Sequence, residues 1–333
     1  MDVNAMAAFE TGAELEPFKF QLDEVQADEC IVKIQKCGVC FSDVHLIQDD
    51  WGMSKYPLVP GHEIIGTVLQ VGTSVTHLKK GDRVGIGWQR SSCLACKDCL
   101  KGEENLCQVD FQLTSGNHFG GFASHIQIDS RFAFLIPTKL KSEEAASLLC
   151  AGAAVYAGLK AAGLTSGGNI GVIGLGGLGH LAVQFASKLG NKVTVFEYAA
   201  HKTDLAYEMG ATEVILTSEK LPRKLENPLS LILNTVNKSL DWRSYMRLID
   251  SKGTLMLLAS GPKVEIPFSS LVYQQKRIMG SMIAGRRDIL ETISLADKYG
   301  IRTYVEEFEL RNVNEAILRL KNNELKYRAV LAM

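Results

Sequence analysis

A glycine-rich turn, Gly174-Leu175-Gly176-Gly177-Leu178-Gly179, constrains the fold of this chain more than any other feature. It directly follows an apolar run, Asn169–Ile173, that is typical of a buried parallel strand. After the turn, apolar residues recur at helical spacing until Gly190 stops the pattern. A second strand-like run, Lys192–Phe196, then ends in Glu197. A strand, a glycine turn, a helix and a strand in this order, with an acid about 20 residues on, predict a dinucleotide-binding α/β unit.

The glycines at the first, third and sixth places of the turn have separate physical roles. Gly174 permits the tight turn, Gly176 lets the backbone approach a pyrophosphate, and Gly179 lets the helix pack closely on the strand. The helix N-terminus would then face the phosphates with its free N–H groups and the positive end of its dipole. Such a glycine pattern is weak evidence by itself, so the strand–turn–helix–strand context is what makes the prediction specific.

Strand-like runs on both sides of this unit indicate a two-domain α/β protein. The downstream runs alternate with helical segments and predict a doubly wound parallel sheet of about six strands. They lie at Glu213–Leu216, Leu229–Leu233, Gly253–Leu258 and Arg277–Met282. The first 140 residues carry short alternating runs punctuated by glycine, which predict a mainly antiparallel β lobe. Helices at Asp288–Lys298 and Val313–Lys321 and a strand at Ala329–Ala332 are predicted to return to that lobe and make it discontinuous.

Four cysteines between two of the early strands predict a bound metal ion. Cys93, Cys96, Cys99 and Cys107 are spaced so that four thiolates can reach one tetrahedral ion, which is the closed, structural type of zinc site. The surrounding loop is polar and could not pack without such support, whereas four exposed free thiols would oxidise readily. A structural zinc lobe is therefore expected at about residues 91–108.

The stretch from Cys37 to Glu63 predicts a second metal site of a different kind. It contains Cys40 and His62, and catalytic zinc usually takes three protein ligands and keeps a fourth position open. Cys150 is the candidate third ligand, although considered alone it would be a buried small hydrophobic residue. The alternative is a redox pair of Cys37 and Cys40 beside an unrelated loop histidine. The metal is favoured because a redox pair does not require the later ligands.

The composition is that of a globular protein long enough for two domains. The chain has 333 residues, of which 46% are hydrophobic and 22% charged, and a formal net charge of −1. The absence of a basic block disfavours nucleic acid or an anionic membrane as a partner. The longest apolar stretch is interrupted by glycines and His180, so it does not predict a membrane span. The N-terminus lacks a signal-peptide pattern, which predicts a cytoplasmic protein without disulfides.

Together these motifs resemble the zinc-dependent medium-chain alcohol dehydrogenases, and within them most closely the cinnamyl-alcohol-dehydrogenase-like branch. The resemblance covers essentially the full length. It is carried by Gly38–His45, Gly61–Glu63, the four-cysteine lobe, Leu149–Gly152 and Gly174–Gly179, and further by Asp50-Trp51-Gly52 and Gly87-Trp88. It implies a GroES-like catalytic domain at 1–148 and 286–333, a Rossmann dinucleotide-binding domain at 149–285, and an active site in the cleft between them.

The resemblance also implies a role for each residue of the second metal site. Cys40, His62 and Cys150 match the ligands of the catalytic zinc. Glu63 matches a carboxylate that can approach the metal during ligand exchange. Asp43 matches an acid that orients the ligand imidazole.

Further matches concern proton transfer, the cofactor and the substrate. Ser42 and His45 match a proton relay, although Ser42 could instead cap a helix and His45 could be an ordinary surface residue. Arg328 matches an arginine that contacts the cofactor pyrophosphate. Trp51 and Trp88 either line a substrate pocket or fill the wall of the cleft as bulky apolar groups.

Two departures from the branch stand out. Its members usually prefer NADP and have a small hydroxyl residue at the end of the second strand, where this chain has Glu197. A carboxylate can accept hydrogen bonds from a ribose 2′-OH but repels a 2′-phosphate, although His201 and Lys202 could partly offset that repulsion. We therefore predict NAD, with NADP as the alternative and Lys202 as a further contact. The second departure is Asn234, where relatives often carry aspartate.

The combined prediction is reversible oxidation of a primary alcohol, medium-chain or aromatic, to an aldehyde, with two zinc ions per chain and a nicotinamide cofactor. The alternative is a polyol or secondary-alcohol dehydrogenase on the same scaffold, which the aromatic residues at 51 and 88 disfavour. A non-catalytic NAD- or zinc-binding protein would not need an open ligand set or a relay. A zinc-free reductase would not need the cysteines. A homodimer or homotetramer is typical of the family.

Overall fold

The computed structural model describes residues 1–259, 261 and 263–333, which divide into two compact units. The first unit comprises residues Met1–Cys150 and Ala284–Met333, and the second comprises Ala151–Ile283. The first unit is therefore discontinuous in sequence, whereas the second is one continuous segment. Among the described residues, no helix combines the length and the apolar character needed to span a membrane.

The N-terminal part of the first unit consists mainly of strands joined by loops. Its elements are β1 (Asp2–Ala7), β2 (Glu16–Gln21), β3 (Glu29–Val39), α1 (Phe41–Gln48), β4 (Ile64–Val71), β5 (Arg83–Ile86), β6 (Gln89–Ser91), β7 (Gln112–Leu113), β8 (His125–Asp129), β9 (Ala133–Leu135) and α2 (Ser142–Ala145). β1 pairs with β2 and β6 with β7 as separate two-stranded ribbons, both antiparallel. The mainly antiparallel β lobe predicted from the short alternating apolar runs of the first 140 residues is therefore confirmed.

The second unit is a doubly wound parallel sheet, as predicted. Its elements are α3 (Ala151–Ala161), β10 (Asn169–Ile173), α4 (Gly179–Lys188), β11 (Lys192–Glu197), α5 (Thr203–Glu208), β12 (Glu213–Leu216), β13 (Leu229–Asn234), α6 (Trp242–Leu248), β14 (Ile249–Leu257), α7 (Ser269–Val272) and β15 (Arg277–Gly280). The six strands run parallel in the order β12-β11-β10-β13-β14-β15. The order reverses between β10 and β13, and open α/β sheets bind ligands at such a switch point.

The C-terminal segment completes the sheet of the first unit. It forms α8 (Arg286–Tyr299), β16 (Val305–Glu309), α9 (Val313–Lys321) and β17 (Arg328–Ala332). The large sheet has the order β16-β17-β3-β4-β5-β9, and β8 also pairs with β3. β17 lies antiparallel to β3, with Val330 opposite Gly38. This pairing places residue 328 beside the loops that follow β3 and precede β4.

Candidate active site and metal centres

The four cysteines of the polar lobe form a cluster with the dimensions of a zinc–thiolate site. Sγ of Cys93 lies 3.8 Å from Sγ of Cys99 and 3.5 Å from Sγ of Cys107, and Sγ of Cys96 lies 4.0 Å from Sγ of Cys107. A disulfide needs about 2.05 Å, and all four cysteines are free. Four thiolates about 2.3 Å from a tetrahedral zinc ion are about 3.8 Å apart. The cluster therefore fits a structural zinc ion.

Backbone N–H groups prepare this cluster for a cation. The N–H of Cys96 donates to Sγ of Cys93 at 3.3 Å, and the N–H of Asp110 donates to Sγ of Cys107 at 3.5 Å. Partial burial raises the pKa of Cys107, but hydrogen bonds from the N–H groups of Asp110 and Cys93 outweigh it and lower the pKa to about 6. The thiolate, which is the form that binds metal, is therefore favoured.

A buried ion pair anchors this lobe to helix α8. Glu104 is 1% exposed, and its carboxylate accepts hydrogen bonds from the backbone N–H of Arg286 at 2.9 Å and from its Nε at 2.8 Å. Gln89 donates to the carbonyl oxygen of Glu104 at 2.9 Å. The first residue of α8 and the cysteine lobe are thereby held together within the first unit.

The second cluster consists of Cys40, His62, Glu63 and Cys150, all buried and all in the first unit. One donor atom from each lies within 4.8 Å of the donor atoms of the other three. Cys40 directly precedes α1, His62 and Glu63 directly precede β4, and Cys150 directly precedes α3. Nε2 of His62 is buried and has no hydrogen-bond partner in the described part of the chain. An imidazole nitrogen without a hydrogen-bond partner and two nearby thiols form a fitting donor set for zinc.

Asp43 orients the imidazole of His62 from its far side. Oδ1 of Asp43 lies 3.1 Å from Nδ1 of His62 and also accepts the N–H of Gly61 at 2.9 Å, while Oδ2 accepts the N–H of Cys40 at 2.8 Å. Burial lowers the pKa of His62, but the charge and hydrogen bond of Asp43 outweigh it, and the pKa rises to about 10. The hydrogen bond to Asp43 fixes one proton on Nδ1, and the second proton, on Nε2, must leave when a cation binds at that nitrogen.

The two thiols of the cluster influence each other in opposite directions. A hydrogen bond from Cys150 lowers the pKa of Cys40 well below its ordinary value, and the positive charge of Arg328 contributes in the same direction. The same hydrogen bond and burial raise the pKa of Cys150. One thiolate is therefore available before a cation arrives, and the second proton must leave when the cation binds.

Glu63 belongs to a buried triad with Arg328 and Ser147. Nη2 of Arg328 donates to Oε1 of Glu63 at 2.8 Å, and the hydroxyl of Ser147 donates to Oε2 at 2.6 Å. Burial raises the pKa of Glu63, and the positive charge of Arg328 opposes that shift. The pKa of Arg328 lies above its ordinary value because the carboxylate outweighs the effect of burial. Arg328, predicted to contact a pyrophosphate, directs its guanidinium to Glu63 here, and its contact with a cofactor stays a prediction.

The predicted relay residues lie on helix α1. Cys40 is the N-cap of α1, and the hydroxyl of Ser42 lies 3.6 Å from its Sγ. The alternative in which Ser42 caps the helix is therefore wrong. His45, whose side chain is 20% exposed, places Nδ1 2.6 Å from Oδ2 of Asp50. A histidine at the surface with a carboxylate partner can exchange protons with solvent.

Two tryptophans form an aromatic wall beside the metal ligands. Trp88 is 5% exposed and packs edge-on against the ring of His62, with the ring centroids 4.7 Å apart. Trp51 lies between Trp88 at 5.9 Å and His45 at 4.9 Å. Nε1 of Trp88 is buried and has no partner among the described residues.

The redox alternative for Cys37 finds no support, because that thiol contacts the carbonyl of Gly38 at 3.6 Å and is not among the four clustered donors.

The glycine turn of the second unit has the backbone geometry expected for close approach. Gly174 adopts φ +84°, in the left-handed region that favours glycine. A Cβ on Gly179 would lie 1.9 Å from the carbonyl oxygen of Gly174, so only glycine allows α4 to pack on the turn.

Asn234, where relatives often carry aspartate, donates to the carbonyl of Val236 at 3.1 Å and accepts its N–H at 3.3 Å. An aspartate could make only the second bond, which explains what asparagine contributes there.

The carboxylate of Glu197 accepts hydrogen bonds from backbone N–H groups of the glycine turn and of the residues after β11. Its Oε2 accepts the N–H of Leu175 at 2.6 Å, and its Oε1 accepts the N–H groups of Tyr198 at 2.8 Å and Ala199 at 3.0 Å. Lys202 donates to the carbonyl oxygen of Leu175 at 3.3 Å. Glu197 and Lys202, the two charged residues of the second unit predicted to contact the cofactor, therefore lie against the glycine turn. The carboxylate also stabilises the turn itself.

Several residues of these sites carry no local sequence signal. Ser147 contacts Glu63 and Glu104 contacts Arg286, yet neither Ser147 nor Glu104 belongs to a recognisable motif. Glu63 and Arg328 are 265 positions apart, so only the pairing of β17 with β3 brings them together. For Asp50 a weak signal exists, since it lies five residues after His45, just past the end of the same helix.

Known proteins share both the motifs and the fold. The model of the alcohol dehydrogenase GroES-like domain matches residues 26–138, and that of zinc-binding dehydrogenases matches residues 177–322. Cinnamyl alcohol dehydrogenase 8 of Arabidopsis thaliana is 37% identical over 98% of this chain and 94% of that protein. The structure is similar to SbCAD4, a cinnamyl alcohol dehydrogenase from Sorghum bicolor, with a TM-score of 0.93, 32% identity and coverage of 100% and 98%. It is also similar to CAD from Helicobacter pylori complexed with NADP(H), with a TM-score of 0.93, 28% identity and the same coverage.

Proposed function

This chain belongs to the zinc-dependent medium-chain alcohol dehydrogenases, within their cinnamyl alcohol dehydrogenase branch, and we propose that Cys40, His62 and Cys150 hold its catalytic zinc. It is a nicotinamide-dependent oxidoreductase that interconverts alcohols and aldehydes. The observation that supports the site most directly is the buried Nε2 of His62, which lacks a hydrogen-bond partner among the described residues, on an imidazole that is clustered with two thiols. The four-cysteine cluster is the proposed structural zinc site.

The chemistry of the site follows from its donors and their partners. Zinc supplies a Lewis acid that stabilises negative charge on the substrate oxygen, and the nicotinamide supplies the hydride acceptor. Asp43 keeps the proton of His62 on Nδ1. The Ser42 hydroxyl takes the substrate proton while it gives up its own proton to the relay, and His45, at the end of the relay, releases a proton to solvent. Asp50 accepts a hydrogen bond from Nδ1 of His45, which fixes the ring and leaves Nε2 to take up the proton.

The aromatic wall supports a primary alcohol with an apolar or aromatic substituent as substrate. Trp88 lies against the ring of His62 and Trp51 packs on Trp88, and aromatic faces favour aromatic ligands by about 0.5–1.5 kcal/mol beyond their area burial. A polyol would instead leave several hydroxyl groups unpaired against these rings. The test is a panel of benzylic, cinnamylic, aliphatic and polyol substrates followed by nicotinamide absorbance. Turnover of polyols without turnover of aromatic alcohols would reverse this proposal.

The proposed cofactor is NAD. The carboxylate of Glu197 lies at the end of β11, against the glycine turn, where it would repel a 2′-phosphate. Lys202 is the nearby positive charge that opposes this repulsion, and one similar structure carries NADP(H). The ratio of kcat/KM for the two cofactors decides the question. Glu197→Ser should raise the relative use of NADP, and a wild-type enzyme that already prefers NADP would overturn the assignment.

The two units are proposed to divide the work as the family implies. The first unit would be the catalytic domain, with the structural zinc lobe at about residues 91–108, and the second would be the dinucleotide-binding domain. The predicted limits of 1–148, 286–333 and 149–285 stay predictions that limited proteolysis can test. The predicted cytoplasmic location also stays a prediction.

A homodimer is proposed from the edge of the parallel sheet. β15 is the last strand of that sheet, and an unpaired strand edge is a template for pairing with a second copy. Exposed apolar side chains accompany it, with Phe268 at 80%, Tyr273 at 86% and Ile278 at 38% exposure. Light scattering should give twice the mass of one chain, and Ile278→Lys should shift the protein toward monomer. A monomeric wild type would contradict the proposal.

A further inference from the structure

Ser147 is a buried polar residue at the proposed catalytic metal site for which the chemistry described so far gives no role. It lies on the 3₁₀ turn Ala146–Leu149, directly before the donor segment that begins at Cys150, and is fully buried. Its hydroxyl donates to Oε2 of Glu63 at 2.6 Å and accepts from Nε of Arg328 at 3.2 Å. Arg328 also donates through Nη2 to Oε1 of Glu63. Protein donors thus occupy both oxygens of the Glu63 carboxylate.

We propose that Ser147 is a positioning residue that keeps Glu63 out of the coordination sphere of the catalytic metal. The inference rests on the proposed metal site of Cys40, His62 and Cys150. A carboxylate oxygen of Glu63 lies within 4.8 Å of the donor atoms of these three residues, and carboxylate is a competent zinc ligand. A fourth protein ligand would convert an open site into the closed, structural type. The position that a substrate must take would then be occupied.

Among the contacts of Glu63, the hydrogen bond from Ser147 determines whether the carboxylate can turn toward the metal. A Cβ on Gly38 would lie 2.0 Å from Oε2, so the carboxylate already fills the space that a side chain at this position of β3 would take. Arg328 restrains Oε1, but a bond to one oxygen still allows the other to turn. The bond from Ser147 to Oε2 is short, buried and assisted by the charge of the acceptor, which places it among the stronger hydrogen bonds. Loss of this bond should change the equilibrium between the held carboxylate and a carboxylate turned toward the metal by about tenfold.

The test is Ser147→Ala in the full-length, zinc-loaded protein. Equilibrium competition with a chromophoric chelator should show about tenfold tighter binding at the catalytic site, because Glu63 becomes an additional ligand. In the cobalt-substituted protein, added imidazole should change the visible spectrum of the wild type but not that of the variant, whose open position is taken. Turnover should fall in parallel. An unchanged or weaker affinity with an unchanged response to imidazole would overturn the proposal.

Three further variants separate positioning from a merely structural effect. Ser147→Thr keeps a hydroxyl, whereas Ser147→Val introduces a side chain of the same size as threonine without a hydroxyl. Only the valine variant should therefore bind metal more tightly than the wild type. In a Glu63→Gln background, Ser147→Ala should no longer tighten binding, because the carboxylate through which it acts is gone. Ser130→Ala removes another buried hydroxyl of the same unit, which donates to the carbonyl of Asp28 at 2.7 Å, and should leave metal binding unchanged. If the wild-type protein binds no metal at Cys40, His62 and Cys150, the proposed metal site fails, and this inference fails with it. If metal binds there but the wild-type cobalt protein does not respond to imidazole, only this inference fails.

Discussion

Replacement of Asp43 by asparagine should weaken metal binding at the catalytic site and leave the four-cysteine site intact. Asp43 accepts three hydrogen bonds: Oδ2 from the N–H of Cys40 at 2.8 Å, and Oδ1 from the N–H of Gly61 at 2.9 Å and from Nδ1 of His62 at 3.1 Å. An asparagine can present its oxygen to only one of these two sides and must turn its NH2 group toward a donor on the other. At least one buried donor then stays unsatisfied, at a cost of about 1–3 kcal/mol.

This cost should appear as a loss of metal affinity at the catalytic site. Removing a carboxylate that supports a ligand histidine typically weakens binding about 10–100-fold, and this range corresponds to about 1.4–2.7 kcal/mol. The assay is competition with a chelator of known affinity, together with the metal content per chain. The variant should readily lose one of its two zinc ions and retain the other, which the cysteine cluster holds.

Asp241→Asn is the matched control for this carboxylate-to-amide change. Asp241 lies in the second unit, where it caps helix α6 by accepting the N–H of Ser244. Its amide variant should keep both metal sites at wild-type affinity. An Asp43→Asn protein that folds normally and binds the catalytic zinc as tightly as the wild type would refute the reasoning.

Three other perturbations have defined outcomes. Gly38→Ala places a Cβ 2.0 Å from Oε2 of Glu63 and should destabilise the fold by about 1–3 kcal/mol in chemical denaturation, whereas Gly280→Ala, with open space around it, should not. Asp241→Ala should cost about 1 kcal/mol through the lost cap of α6. The hydrogen bond from Ser244 lowers the pKa of Asp241 in the folded state. The capping contribution is therefore fully present above the unfolded-state pKa of about 3.9 and is lost as the pH falls through the folded-state pKa. The free energies of unfolding of wild type and variant should become equal in acid. Cys96→Ser removes one of four clustered thiolates and should release one zinc per chain, measured by metal analysis, with a lower unfolding temperature.

The parts of the fold that could be predicted are those with a strong local period or a fixed spacing. The parallel sheet is an example, since its strands read as short buried runs separated by helical patterns, and the described residues form a parallel sheet of six strands, as predicted. The four cysteines are another, because a spacing of two, two and seven residues leaves few ways to arrange their thiols. In both cases neighbouring residues in the sequence determine the outcome.

The remaining contacts depend on segments that meet only in the folded sheet. Arg328 lies in a strand whose register against β3 places its guanidinium on Glu63, and no local pattern announces that partner. The role of Ser147 cannot be read from the sequence for the same reason, since its partners Glu63 and Arg328 are distant in the chain. A serine within an alanine-rich helical stretch gives no signal by itself. Asn234 could be noticed as a departure from the family, but its reciprocal bonds with Val236 require the backbone turn to be seen.

The split of the first unit around an uninterrupted second unit has a consequence for biosynthesis. During translation, residues 151–283 can form their parallel sheet soon after they leave the ribosome, while the earlier segment must wait for residues 284–333. Until β17 arrives, Glu63, one of the four clustered donor residues, lacks the guanidinium of Arg328 with which it pairs. Zinc delivered to a nascent chain would therefore encounter the compact four-cysteine loop first, and the catalytic ion would be acquired last.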